Sequence, residues 1–469
     1  MEIKKGTVAF IFCLVLSLIS IAHSETSKQQ TGDPAVGKIY QIQGVNNLLK
    51  DIAFVPYSEL AFAVGTNIIL KSTDDGGTWS TVYGGGDSLE YDQYNGDVVD
   101  IRSNDEQQPV FTTVYIDNQS QRILVAGGIY VHNKSLWKNM VLSSHDAGAT
   151  WKELLLAYSP DTGQRTGYPF FYLPGIINDI TVDEHGTIWA VDNGVLLHSS
   201  DDGHTWNYYF FPDRGADITA LCTSVAFYGD RGWVTAAREN RTEPPGGIHG
   251  IFYGTTDGGA SWEEANPLVV NENDYYSGEF LIHHKIITGT LGRGNIGWLV
   301  GGIMLGSPPE RGYGLLQLSP AYTWKAYEFT DNEHDYSFFI DIDMNEKGQG
   351  CCISPEGTFY ITGDWGNTWG RKYSFGEEID NDMLFQAVAV SQTGIGVLVG
   401  TGGRYALVNT NASISNERCQ RLPATYKRLG SVKQEVLVNG RIVNGRKKPL
   451  QCTIQKQNKG VHQKHLSLY

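Results

Sequence analysis

The sequence predicts an all-β fold, a single β-propeller of seven four-stranded blades closed by a strand near the N-terminus. Three observations carry this. A short pattern, Ser/Thr-x-Asp-x-Gly-x-Thr/Ser-Trp, occurs five times, at Ser72–Trp79, Ser144–Trp151, Ser199–Trp206, Thr255–Trp262 and Thr362–Trp369. A decayed copy, QLSPAYTW, ends at Trp324, and repeats of roughly 40–50 residues with four strands each are the signature of propeller blades. The chain also holds 55 glycines in 469 residues and 12% aromatic residues, which suits many short strands joined by tight turns and packed by rings.

Taken in order, residues 1–24 read as a signal peptide. Lys4 and Lys5 precede an apolar run from Val8 to Ala22, and Ala22-His23-Ser24 offers the small residues that favour cleavage near Ser24. The run is short for a membrane span, so the expectation is an exported chain, periplasmic or extracellular, without membrane insertion. Residues 25–36 read as a linker and 37–416 as the propeller. The segment Gly37–Gln43 is a spare strand that can complete the last blade and leave no long exposed edge. The blades are then expected at about 47–83, 98–156, 176–211, 216–265, 283–329, 338–375 and 383–413. Residues 417–469 form a basic tail, and Val436–Val443 within it reads as a hairpin with an Asn-Gly turn.

Each residue type in the repeated pattern has a physical role. An apolar strand leads into it. The aspartate (Asp74, Asp146, Asp201, Asp257, Asp364) can accept backbone N–H groups in the turn, and the glycine supplies positive φ. The tryptophan (Trp79, Trp151, Trp206, Trp262, Trp369) opens the next strand and offers a large apolar ring to the neighbouring sheet. These aspartates are therefore expected to build turns rather than to catalyse.

The pattern resembles the Asp-box (BNR) repeat of sialidases, sortilin-type receptors, xyloglucanase-type glycosidases and photosystem II assembly-factor propellers. The last is the most similar in texture. A strand beginning Asp-Ile, a strand ending near glycine and then the box strand follow one another at Leu48–Trp79, and the order returns at Asn178–Trp206 and Asp341–Trp369. This resemblance spans residues 38–413 and implies a propeller that binds and helps assemble a complex without enzymatic activity. The chain departs from that family in having no Arg-rich patch that maps residue by residue, and in its charge. Net charge is −15, yet the tail holds twelve Lys/Arg against two Asp/Glu, and the first 24 residues contribute +1, which leaves the body near −26. So acidic a body repels nucleic acid and anionic lipid.

Propeller geometry puts the Asp-box turns on one face. The inter-blade connections and the loops between second and third strands open on the other. The long insertions all fall there, at 84–97, 128–138, 157–175, 238–249, 266–283, 304–312 and 330–337. Extended loops on a rigid scaffold are where binding concentrates. Candidate binding residues on this face are Tyr94, Tyr168, Tyr172, Arg238, His284 and Arg311. Tyrosines beside charged groups suit a glycan or a protein surface equally. His283-His284 reads as the start of a strand, with one ring able to face the central channel.

No Ser-His-Asp arrangement, phosphate-binding glycine loop, calcium loop or Cys/His zinc spacing is present. No cofactor, no metal and a monomer are expected. A sialidase would carry an arginine ahead of the first box, where this chain has Phe54-Val55-Pro56-Tyr57. The reading is an exported, non-enzymatic binding or assembly module for a protein or glycan. The alternative is a glycoside hydrolase or polysaccharide lyase with its site in the central cleft of the same face.

Overall fold

In the computed structural model the chain divides into two compact units, Met1–Pro423 and Ala424–Tyr469. In the first, residues 36–84, 108–117, 122–131, 136–158, 176–192, 195–211, 220–240, 247–264, 279–288, 297–305, 310–318, 324–327, 339–370, 373–375 and 384–411 are described, with a two-stranded ladder at 90–91 and 98–99. In the second, Leu437 pairs with Ile442 and Val438 with Arg441, and Gln451–Thr453 pairs with His465–Ser467.

The first unit contains seven four-stranded antiparallel sheets. Blade 1 is Leu49–Phe54, Ala61–Gly65, Ile68–Ser72 and Ser80–Gly84. Blade 2 is Pro109–Asp117, Arg122–Val131, Leu136–Ser144 and Lys152–Tyr158. Blade 3 is Asp179–Val182, Ile188–Asp192, Val195–Ser199 and Asn207–Phe210. Blade 4 is Ala220–Tyr228, Arg231–Asn240, Gly247–Thr255 and Glu263–Glu264. Blade 5 is Glu279–Thr288, Gly297–Leu305, Glu310–Leu318 and Trp324–Tyr327. Blade 6 is Asp341–Met344, Gly350–Ile353, Thr358–Thr362 and Tyr373–Ser374.

Blade 7 takes three strands from the C-terminal side, Phe385–Val390, Ile395–Gly400 and Arg404–Asn409. Its outer strand is Val36–Gln41, paired antiparallel with Arg404–Asn409. The spare N-terminal strand thus closes the ring. Tyr40 stacks on Tyr405 with centroids 5.2 Å apart, and the Gln41 side-chain amide donates to the carbonyls of Val45 and Gly402.

Two blades differ from the sequence expectation at their inner edge. Blade 2 begins at Pro109 rather than near residue 98, because Val98-Val99 pairs with Glu90-Tyr91 outside the blade. Blade 5 begins at Glu279, so His283 and His284 lie inside its first strand.

The core is laminated between blades. Apolar clusters join blades 7 and 1, 1 and 2, 2 and 3, 3 and 4, 5 and 6, and 6 and 7. The repeat tryptophans sit in these layers, each against the preceding blade. Trp151 meets Phe62 edge-on at 6.5 Å, Trp262 meets Trp189 at 6.2 Å and Trp369 meets Trp298 at 5.6 Å. Cys222, Cys351 and Cys352 are fully buried, and burial pushes the Cys351 thiol well above its usual range.

Candidate functional site

The five repeat turns share one hydrogen-bond set. In the blade 3 turn, Ser199 Oγ donates to Asp201 Oδ1 (2.8 Å) and accepts Gly203 N (2.9 Å). Thr205 N donates to Asp201 Oδ1 and the Thr205 hydroxyl to Oδ2, at 2.8 and 2.6 Å. The same bonds recur around Asp74, Asp146, Asp257 and Asp364. The hydroxyl and N–H donated by the residue four positions on hold the carboxyls of Asp146, Asp201 and Asp257 down at about 2. These aspartates are therefore engaged as turn acceptors.

The turn needs left-handed backbone at two successive positions. Besides each glycine, the residue before it has positive φ: Asp75 (56°), Ala147 (55°), Asp202 (59°), Gly258 (67°) and Trp365 (56°). Four of these five carry a Cβ, a strain the sequence pattern alone does not reveal. At two seams the position is put to use. Asp75 Oδ2 accepts the Thr393 hydroxyl of blade 7 at 2.8 Å, and Asp202 pairs with the buried Arg122 of blade 2. At the blade 3–4 seam Gly258 has no side chain to offer. There His185, from the first turn of blade 3, meets Asp230, from the first turn of blade 4, at 3.1 Å. The Asp230 hydrogen bond raises the His185 pKa.

The opposite face is built differently. The third strand runs toward the repeat turn in each of the five blades that carry the pattern, so its first residues mark the other face. That strand has five or six residues in blades 1, 3, 6 and 7. It has nine in blades 2, 4 and 5. With the turn ends aligned, four extra residues at roughly 3.3 Å each project three hairpins by about 13 Å. Residues that read as loops are therefore ladder. Arg238 pairs with His249 and Asn240 with Gly247 in blade 4; Met304 pairs with Arg311 in blade 5; Tyr130 pairs with Trp137 in blade 2. Arg238 and Arg311 are strand residues on two projecting arms, because the ladder continues through polar and glycine-rich sequence that imitates a loop.

The mouth of the central channel lies on this same face. First strands of successive blades neighbour one another in a closed ring, and each starts from this side. Five of them carry a one-residue bulge at the same level, at Lys50, Thr112, Thr223, His284 and Gln386. In blades 3 and 6 the place is taken by Asn178 and Ile340, whose N–H groups reach the carbonyls of Val191 and Ile353. His284 is therefore not at a strand start. The bulge interrupts the alternation on which a one-in, one-out reading of His283-His284 depends. Residues of this ring reach across seams: Lys50 Nζ lies 3.4 Å from Gln386 Oε1, and Asn178 Nδ2 donates at 2.7 Å to the carbonyl of Cys222, the residue before the Thr223 bulge.

Just inside this ring runs a buried belt that sequence reasoning did not identify. Asp51 accepts Val114 N (2.9 Å), Asp179 accepts Thr113 Oγ1 (3.2 Å) and Val225 N (3.0 Å), and Asp341 accepts Val388 N (2.8 Å). Ser224 Oγ accepts Ile286 N at 3.2 Å. Each bond joins one blade to the next. The signal for it was the recurring Asp-Ile at Asp51, Asp179 and Asp341, which reads as strand texture until the next blade is in view. These carboxylates tie the seams.

Tyr94, Tyr168 and Tyr172 lie outside the described residues. Among the sequence-predicted residues the structure thus brings His284 into the channel-mouth ring and sets Arg238 and Arg311 on two hairpins of the same face.

No protein-family model and no characterised protein sequence matches the chain. Solved structures of similar outline include YCF48 bound to a D1 peptide, at 15% identity and TM-score 0.48, over 81% of this chain and 99% of that one. YCF48 from Cyanidioschyzon merolae follows at 14% and 0.47, over 80% and 99%. A GH74 enzyme from Niastella koreensis gives 14% and 0.49, over 81% of this chain and 54% of that one. Likenesses at this identity carry no information on activity, since propellers of one outline serve many functions.

Proposed function

We propose that this chain is an exported propeller whose five repeat turns are Asp boxes, and that it binds a protein or glycan, without turning it over, on the face opposite those turns. The observation that carries the reading is the set of three hairpins in blades 2, 4 and 5, each lengthened at that end alone. Lengthening on one face adds recognition surface without disturbing the seams that hold the ring. On this reading residues 1–24 are removed on export, residues 37–416 are the binding domain and the basic tail from 417 is a separate element.

A second reading, a glycan-cleaving enzyme, draws on His284 at the channel mouth beneath arms that bear Arg238 and Arg311. One experiment separates the two. The mature chain is tested against neutral and anionic polysaccharides and against cell-envelope proteins, reading bound mass, reducing ends and unsaturated-uronate absorbance. Binding without turnover, lost when residues 239–248 are replaced by Asn-Gly, is the expected result. Turnover that disappears in His284→Ala would replace the binding reading with the enzymatic one.

A further inference from the structure

We propose that Glu184, His185 and Asp230, at the seam between blades 3 and 4 on the repeat-turn face, form a binding site for a divalent transition metal such as Zn2+. One ligand atom from each residue lies within 4.8 Å of the other two. His185 Nε2 is 3.1 Å from Asp230 Oδ1 and 3.8 Å from Glu184 Oε1. Metal–ligand bonds of 2.0–2.2 Å put two tetrahedral ligands about 3.2–3.6 Å apart, so the His185–Asp230 and His185–Glu184 separations already stand near the spacing of one coordination sphere.

The donor set points to a cation and to its class. Two carboxylates converge on a single imidazole nitrogen, and Nε2 has one proton at most to share between them. A metal at that point satisfies all three at once. Imidazole with carboxylate suits zinc, nickel, cobalt or copper, whereas calcium and magnesium prefer all-oxygen sites. The exposed position leaves room for water to complete the shell.

Two rigid turns present the ligands. Asp183 Oδ1 accepts the N–H groups of His185 and Thr187, both at 2.9 Å, and its Oδ2 accepts Trp189 Nε1 at 2.8 Å. On the other side Gly258 N donates to Asp230 O at 2.8 Å. This is also the seam where glycine replaces the side chain that latches the blade 7–1 and 2–3 seams, so a metal here would join two blades at a point the turn itself leaves open. Sequence gives no hint of it, because the ligands come from two turns 45 residues apart.

The test uses the full mature chain, stripped with EDTA, dialysed and titrated with ZnCl2 by calorimetry, with thermal unfolding followed with and without zinc. The expected result is a saturable site of stoichiometry near one and a zinc-dependent rise in the unfolding midpoint. His185→Ala and Asp230→Ala each weaken that binding at least tenfold and abolish the rise, while unfolding in EDTA is little changed. Asp230→His, which keeps a ligand atom in place, retains binding. No saturable binding, or binding that His185→Ala leaves intact because other histidines hold the zinc, overturns the proposal.

Discussion

On one face of the ring the turn after the third strand is nearly the same object five times over, down to the hydroxyl that donates to Asp Oδ2. On the other face the hairpins between second and third strands differ by four residues a strand from blade to blade. The difference follows from what each face must do. A repeat turn faces its neighbour across a seam, where the glycine has no room for a Cβ: at Gly148 it would meet Phe62 at 2.7 Å, and at Gly76 it would meet Val397 at 2.6 Å. A hairpin tip on the far side meets solvent and is free to lengthen. The sequence is copied where packing demands it and diverges where packing does not.

The largest test of this contrast is Trp369→Ala. The ring is 1% exposed and packs on Trp298, so its removal is expected to lower stability by about 3–5 kcal/mol, read by urea denaturation. A loss below about 1 kcal/mol would break the claim that the seams carry the fold. Next comes Gly127→Ala. A Cβ there would collide with the main-chain oxygen of Val110 beside the blade 2 bulge, and backbone cannot yield as a side chain can. A cost of roughly 2–3 kcal/mol is expected, with the far-UV spectrum unchanged.

Acid titration probes the repeat turns together. Asp146, Asp201 and Asp257 are held near 2 against an ordinary 3.8. A depressed carboxyl contributes its stability above the ordinary value and loses it as the group protonates. The unfolding midpoint is therefore expected to fall steadily from about pH 4 toward pH 2. A midpoint flat across that window would show that the turns are passengers. Smaller, and of opposite sign, is Ala147→Gly. Ala147 sits at φ 55°, and glycine relieves that strain, for an expected gain of about 0.5–1 kcal/mol. The smallest effect belongs to the far face: Arg311→Ala is expected to leave stability within about 0.5 kcal/mol while weakening whatever the hairpins bind.

The repeat turns and the closing strand were legible in the sequence because they depend on local chemistry. Ser/Thr, Asp, Gly and Trp at fixed spacing specify one turn whatever surrounds it. The channel-mouth ring was not. Lys50, Asn178 and Ile340 each precede an Asp-Ile pair, but Thr112, Thr223, His284 and Gln386 do not, so no single residue pattern announces the ring. Arg238 and Arg311 were picked out, yet as loop residues, because a hairpin arm far from the core has no apolar alternation to mark it as strand.

By itself, then, the sequence determined the all-β class and the propeller repeat and pointed to seven blades closed by the N-terminal strand, while the seven sheets of the structure fixed the count. The sequence's share follows from a repeated local turn and from hydrophobic patterning within each blade. Tertiary structure alone decided the seams: which carboxylates are consumed in the Asp51–Asp179–Asp341 belt, which bulges line the channel mouth, and that Glu184, His185 and Asp230 meet. The belt and the Glu184–His185–Asp230 cluster join residues of neighbouring blades, and only the packing of one blade on the next brings those residues within a hydrogen bond of one another.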